Sequence, residues 1–283
     1  MRNLKGFKTA VPAHMPNFKT WRALPVPGLG YLDPYIFLNH HGPDFFPPHN
    51  QGLPFGPHPH RGFETLTFIV SGELVHKDSE GFESRILKGG IQWMTAGAGI
   101  IHSETSSEEF LKTGGDMEIL QLWINLPARL KTTPPHYQGF QKEEIPEVPL
   151  NDTAHLNLIS GHYKGAEGPV TSPYAQFMST IEAKAGGSFN LDTKADEVFF
   201  YLVSGSLLVN NAKMDKRQLA LFDPGAANIE VQVLEDAYII FGQAPRIQEP
   251  VYSHGPFVMN TEAEIHQAIS DYQSGKMGVW RES

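Results

Sequence analysis

An all-β chain built from two related β-units is what this sequence predicts, and three observations predict it. Glycine and proline, 27 and 22 of 283 residues, punctuate the chain, and such frequent turn chemistry favours many short strands over long helices. Between these punctuation marks lie strand-length runs of β-branched and aromatic residues. Finally, Glu64-x4-Ile69-Val70-Ser71-Gly72-x-Leu74 recurs as Glu197-x4-Leu202-Val203-Ser204-Gly205-x-Leu207, an offset of 133, which is the mark of a duplicated unit.

Residues 1–60 read as loops and short strands around apolar groups such as Tyr35-Ile36-Phe37-Leu38. Residues 63–70 (FETLTFIV) are a strong strand closed by Ser71-Gly72, and Leu74-Val75-His76 begins its partner before a turn at Ser79-Glu80-Gly81. Ile91 to Met94 and Ile100 to Glu104 are strands on either side of a tight Ala96-Gly97-Ala98-Gly99 bend, and residues 116–125 (DMEILQLWIN) are another. Five prolines in residues 127–149 mark a linker. Strands return at 176–183, 197–203, 206–209, 219–222, 229–234 and 238–241. One helix follows: Thr261 and Glu264 form a capping-box pattern, Ile265, Ala268, Ile269 and Tyr272 repeat at helical spacing, and Gly275 stops it. The domains read as 1–130, a Pro-rich linker at 131–149, and 150–283 with the terminal helix.

Composition narrows the function. Apolar residues at 40% and charged residues at 19% describe a packed core rather than disorder. The net charge of −9 and the lack of any Lys/Arg run of five argue against direct nucleic-acid binding. No run of 18 apolar residues spans a membrane, and residues 1–20 lack the apolar run of a signal peptide, so the expected location is the cytoplasm. With no cysteine, disulfides, thiolate ligands and a Cys nucleophile are all excluded. No GxSxG elbow, P-loop or dinucleotide fingerprint is present. The chain does carry 13 His.

His58-Pro59-His60 and His102-Ser103-Glu104 carry the chemistry. Residues i and i+2 of a strand point the same way, so each pair offers two ligands to one side. Two adjacent strands would enclose one divalent ion with three imidazoles and a carboxylate, a set that suits Fe, Mn, Ni, Cu or Zn. An unbroken register from His58 would put Glu64, Leu66, Phe68 and Val70 on the same face, making Glu64 a competing carboxylate or an outer partner. A bulge at Arg61-Gly62 would shift that parity. The alternative is a hydrogen-bonded His cluster in polar loops. His40, His41 and His49 read as surface or pocket-rim residues of Pro/Gly-rich loops. His14, His76, His136, His155, His162, His254 and His266, lacking paired spacing, read as ordinary. Phe45-Phe46-Pro47-Pro48 and Trp93-Met94 suit pocket lining or core packing equally. The second unit has Leu191 and Thr193 in the matching stretch and no His between Tyr163 and Ser253, so any metal belongs to the first.

Gly56-Pro57-His58-Pro59-His60-Arg61-Gly62-Phe63-Glu64-Thr65, Gln92 to Gly97, and Gly99-Ile100-Ile101-His102-Ser103-Glu104 resemble the signatures of the pirin family of the cupin superfamily. Glu249-Pro250-Val251 and Gly255 to Asn260 resemble its C-terminal block. The resemblance implies two cupin-type antiparallel β-barrels of jelly-roll type packed together, with metal only in the first. It also implies His58, His60, His102 and Glu104 as metal ligands, and Glu64 kept without being a ligand. Some pirins resemble quercetin 2,3-dioxygenases, which open a flavonol ring with O₂ and release carbon monoxide. Others are described as iron-containing modulators of transcription. The leading expectation is a metal-dependent dioxygenase acting on a flavonol-like enol. Iron(II) is favoured, with Mn, Ni, Cu, Co or Zn open, and Glu104 is the catalytic base. The rivals are a metal-containing regulator acting through protein partners and a metal-free sugar- or acid-binding barrel.

Overall fold

The computed structural model describes residues 1–281; residues 282 and 283, the end of the expected second domain, lie outside the described residues. The chain is all-β apart from short helices and the C-terminal helix, and it divides into two compact units whose segments alternate along the sequence. Unit 1 comprises Met1–Val11, Arg22–Tyr35 and Glu144–Arg246; unit 2 comprises Pro12–Trp21, Ile36–Glu143 and Ile247 onward.

Unit 2 is formed by two antiparallel sheets. One runs in the order Phe55–His60, Ile100–Thr105, Glu73–Asp78, Glu83–Leu87. The other runs His136–Phe140, Ile91–Thr95, Phe63–Ser71, Gly115–Asn125, Tyr35–Phe46. The chain passes from the first sheet to the second at Arg61-Gly62. Gly62 has φ +89°, and a Cβ there would lie 2.0 Å from the Val258 carbonyl oxygen, so only glycine fits this turn.

Unit 1 is a nine-stranded antiparallel sheet closed around an apolar interior, its longest strands being Glu197–Val209 and Ala227–Ala244. Leu191, Val198, Phe200, Leu202, Val231 and Ile239 belong to its core. Each such side chain contributes roughly 1.5–3 kcal/mol when fully withdrawn from water.

The unit boundaries differ from the consecutive domains expected from sequence. Leu4–Thr9 adds to unit 1 as an edge strand against Gln218–Phe222, and the Arg2 guanidinium donates to Thr193 Oγ1 at 3.0 Å. The terminal helix, Glu262–Gln273, sits in unit 2: Ile265 and Ala268 share a core cluster with Ile101 and Phe257. Its Thr261 cap is as expected, the hydroxyl accepting from the Glu264 N–H at 3.2 Å, and Gly275 follows with φ +75°. The proline-rich stretch is structured. His136–Phe140 pairs with Ile91–Thr95, and Glu147–Asn151 pairs with Ala154–Ser160. Both are edge strands, where a proline leaves no ladder bond broken. Residues 35–46 form one 12-residue strand, so His40 and His41 are buried strand residues, not loop residues. His40 meets Glu118 at 2.7 Å and His41 meets Thr20 at 2.8 Å. No helix among the described residues is long and apolar enough to cross a membrane.

Candidate metal centre

His58 and His60 are two residues apart on Phe55–His60, and His102 faces His58 directly in the neighbouring strand. One nitrogen from each of the three rings lies within 4.8 Å of the others, and this is the one such His/Asp/Glu group among the described residues. Hydrogen bonding sets two of the rings. The Gly56 carbonyl accepts from His58 Nδ1 at 2.7 Å, and the Pro256 carbonyl accepts from His60 Nδ1 at 3.3 Å. That makes both Nε2 atoms lone-pair acceptors, the arrangement that orients imidazoles toward a cation. His58 Nε2 lies 3.1 Å from His102 Nε2, and His60 Nε2 is buried with no hydrogen-bond partner among the described residues.

Burial pulls His60 down from 6.5 to about 3, with His58 adding to the effect. Burial likewise holds His102 well below 6.5, reinforced by His60, His58 and His76. The two rings are therefore neutral at pH 7, the form that binds metal. Three converging imidazole nitrogens, one of them buried without a partner among the described residues, fit a divalent transition-metal ion.

Glu104 shares a strand face with His102 but is not part of the compact nitrogen cluster. Its buried carboxylate is fastened by neutral donors from the opposite sheet. Gln92 Nε2 and Thr67 Oγ1 donate to Oε1, the latter at 3.1 Å, and Gln121 Nε2 donates to Oε2 at 2.6 Å. Gln121, Thr67 and Gln92 are a cross-strand row on three adjacent strands. Glu64 goes elsewhere. The turn at Gly62 moves the parity by one residue, so Phe63, Thr65 and Thr67 face the cluster while Glu64 accepts from Thr95 Oγ1 at 2.7 Å on the other face. His60 packs on Phe63 and Trp123, with centroids 5.1 and 5.2 Å away.

Several residues at this site escaped the sequence reading. His76 is fully buried, bonds Asp78 at 3.0 Å, stacks on Tyr137 at 3.9 Å and lies 5.4 Å from the His102 ring. Lys131 is buried, and its ammonium donates to Gly62 O, Asn125 Oδ1 and Val258 O at 2.7, 2.6 and 3.0 Å. Gln92 and Gln121 had one sequence signal, an amide flanked on both sides by large apolar residues, Ile91 and Trp93 in one strand and Leu120 and Leu122 in the other. Trp93 and Met94 are core residues rather than pocket lining, and Phe46 packs with Phe18 while Phe45 is exposed.

Two jelly-roll β-units from one repeat, with an imidazole cluster inside one of them, define a bicupin protein. The pirin profile matches residues 17–124 and the pirin C-terminal cupin domain matches residues 178–278. A Pseudomonas aeruginosa protein with a provisional quercetin 2,3-dioxygenase name is 38% identical over 248 residues, 87% of each chain. Human pirin is 32% identical over 267 residues, 92% of this chain and 88% of that one. The crystal structure of a quercetin 2,3-dioxygenase from Acinetobacter baumannii superposes with a TM-score of 0.92 at 34% identity, covering 98% of this chain and 99% of the other. The chain belongs to the pirin family.

Proposed function

We propose that the protein is a metal-dependent dioxygenase of the quercetin 2,3-dioxygenase type, acting in the cytoplasm on a flavonol-like enol with O₂. The observation that carries this reading is the convergence of His58, His60 and His102 in a buried cluster beside a fastened carboxylate. The likeness to the Acinetobacter baumannii quercetin 2,3-dioxygenase supports it.

In this reading His58, His60, His102 and Glu104 hold one divalent ion, iron(II) before Mn, Ni, Cu, Co or Zn. A bound ion there supplies Lewis acidity toward the enol oxygen and a common site for substrate and O₂. As a ligand able to swing off the ion, Glu104 would accept the proton of the substrate hydroxyl at the oxygen so released. The Phe37–Trp123–Phe63 stack, with centroid spacings of 4.5 Å, lies against His60 and suits a planar aromatic ligand.

Metal analysis comes first, followed by anaerobic titration of the iron-loaded protein with quercetin and then admission of air. Loss of the flavonol spectrum with oxygen uptake, abolished in His60→Ala, is the expected result. Binding without loss would overturn the enzyme reading and favour a regulator that acts through protein partners.

A further inference from the structure

Glutamine amides are nearly symmetric in shape, so something must decide which end meets a neighbour. At Glu104 both glutamines present N–H to the carboxylate, and each carbonyl end is held by an aromatic donor. Trp123 Nε1 donates to Gln121 Oε1 at 3.1 Å, and Tyr137 OH donates to Gln92 Oε1 at 3.3 Å. An indole N–H can only donate, so it admits one orientation of Gln121. The Tyr137 hydroxyl also meets Ser84 Oγ, which donates to it when the phenol proton goes to Gln92, and burial pushes the phenol well above its ordinary value, so the proton stays on the oxygen.

The register explains why these two residues serve. Gln121, Thr67 and Gln92 form one cross-strand row, and the next row on the same face is Trp123, Thr65, Met94, Tyr137. The two aromatic donors stand at the ends of that second row, each beside one glutamine of the first.

We propose that Trp123 and Tyr137 are positioning residues for Glu104, each locking a glutamine amide with its N–H toward the carboxylate. The carboxylate's own charge also favours that orientation. Once a cation shares the charge this pull weakens, and the aromatic donors then keep the amides from turning their carbonyls inward. The arrangement also assigns the working oxygen. Oε1 accepts from two donors, Gln92 and Thr67, whereas Oε2 accepts from Gln121 alone. One lone pair therefore remains, on Oε2, and a cation and a substrate proton compete for it. The inference rests on the proposed ligand role of Glu104.

The test is Co(II) binding to the metal-free full chain, measured by competition titration and by the visible absorption of the bound ion. Trp123→Phe and Tyr137→Phe keep a ring and remove the donor. Each is expected to weaken binding by about tenfold, the scale of an outer-shell loss, and Glu104→Gln by about 100-fold. In the Glu104→Gln background neither aromatic substitution should change affinity or spectrum further. Tyr137→Phe is nearly isosteric, so it remains informative if Trp123→Phe disturbs packing. The proposal is overturned if both aromatic substitutions leave affinity unchanged, if their effects persist undiminished without Glu104, or if Glu104→Gln binds Co(II) normally. Failure of the iron-loaded wild type to consume quercetin would refute the dioxygenase reading and leave this cycle readable.

Discussion

Lys131→Met removes a charge from the interior while keeping the unbranched stem, and its effect follows from two opposing quantities. Burial pulls the ammonium from 10.5 down to about 8, which corresponds to roughly 3 kcal/mol of relief when the charge is deleted. Against this, three acceptors lose a charged donor at 2.6–3.0 Å. Such bonds contribute roughly 1.5–3 kcal/mol each, or on the order of 4.5–9 kcal/mol together. The hydrogen bonds win, and the variant should be about 3 kcal/mol less stable, a fall of roughly 10 °C in Tm. The loss should also reach the metal centre. Gly62 O lies two residues beyond His60, and Val258 O lies two residues beyond the Pro256 carbonyl that holds His60 Nδ1. Urea unfolding of the metal-free protein and Co(II) titration measure the two effects. A variant within about 0.5 kcal/mol of wild type, with unchanged Co(II) affinity, would refute the reasoning.

Three further outcomes are expected. The metal-free protein should lose stability on acidification below pH 6.5: between 6.5 and about 3 the unfolded chain binds a proton that folded His60 refuses, so His60 alone makes stability rise with pH by roughly 1.4 kcal/mol per pH unit, and His102, held down by the same burial, adds to the slope in the same direction. Denaturation between pH 4 and 7 checks this, with His60→Gln expected to lower the slope by about the share of one proton. Gly62→Ala forces a Cβ to 2.0 Å from Val258 O at φ +89°, and should cost at least about 2 kcal/mol and weaken Co(II) binding. Arg246→Met leaves the Glu197 carboxylate, which is 4% exposed in the pair, without its 2.7 Å partner. About 3–5 kcal/mol of stability should be lost while Co(II) affinity is unchanged, since neither residue belongs to unit 2.

Much of this was legible in the sequence because it is local. Period-two spacing puts His58 with His60 and His102 with Glu104, and β-branched runs announce Phe63–Ser71 and Gly115–Asn125. What the sequence hid is non-local. Nothing near residue 131 says that its ammonium will meet carbonyls at 62 and 258. His40 and His41 sit among prolines and glycines, yet Tyr35–Phe46 is paired into the sheet interior and buries both. Parity alone left the face of Glu64 open, with an unbroken register putting it toward the cluster and a bulge at Arg61-Gly62 turning it away, and the left-handed Gly62 turns it away. The interleaving of the units was equally hidden, because a strand at residues 4–9 shows its apolar pattern without showing its partner.

The duplicated units show why only one carries a cluster. The offset of 133 sets Leu191 and Thr193 opposite His58 and His60, and Val198, Phe200 and Leu202 opposite Thr65, Thr67 and Ile69. The turn glycines are kept, Gly72 at φ +81° and Gly205 at φ +90°, so the backbone plan is shared and the difference lies in the inward side chains. In unit 1 Leu191, Val198, Phe200 and Leu202 are apolar core residues and the Thr193 hydroxyl is bonded to Arg2, so no imidazole or carboxylate stands at these positions for a cation. In unit 2 Gln121, Thr67 and Gln92 remain polar because Glu104 accepts from all three. Removing Glu104 alone would strand the buried Gln92 amide at about 1–3 kcal/mol and leave the half-buried Gln121 amide without its carboxylate. Replacing one amide alone would leave a carboxylate oxygen short of a donor. Intermediate mixtures are therefore less stable than either extreme, and such a row persists whole, as in unit 2, or is apolar throughout, as in unit 1.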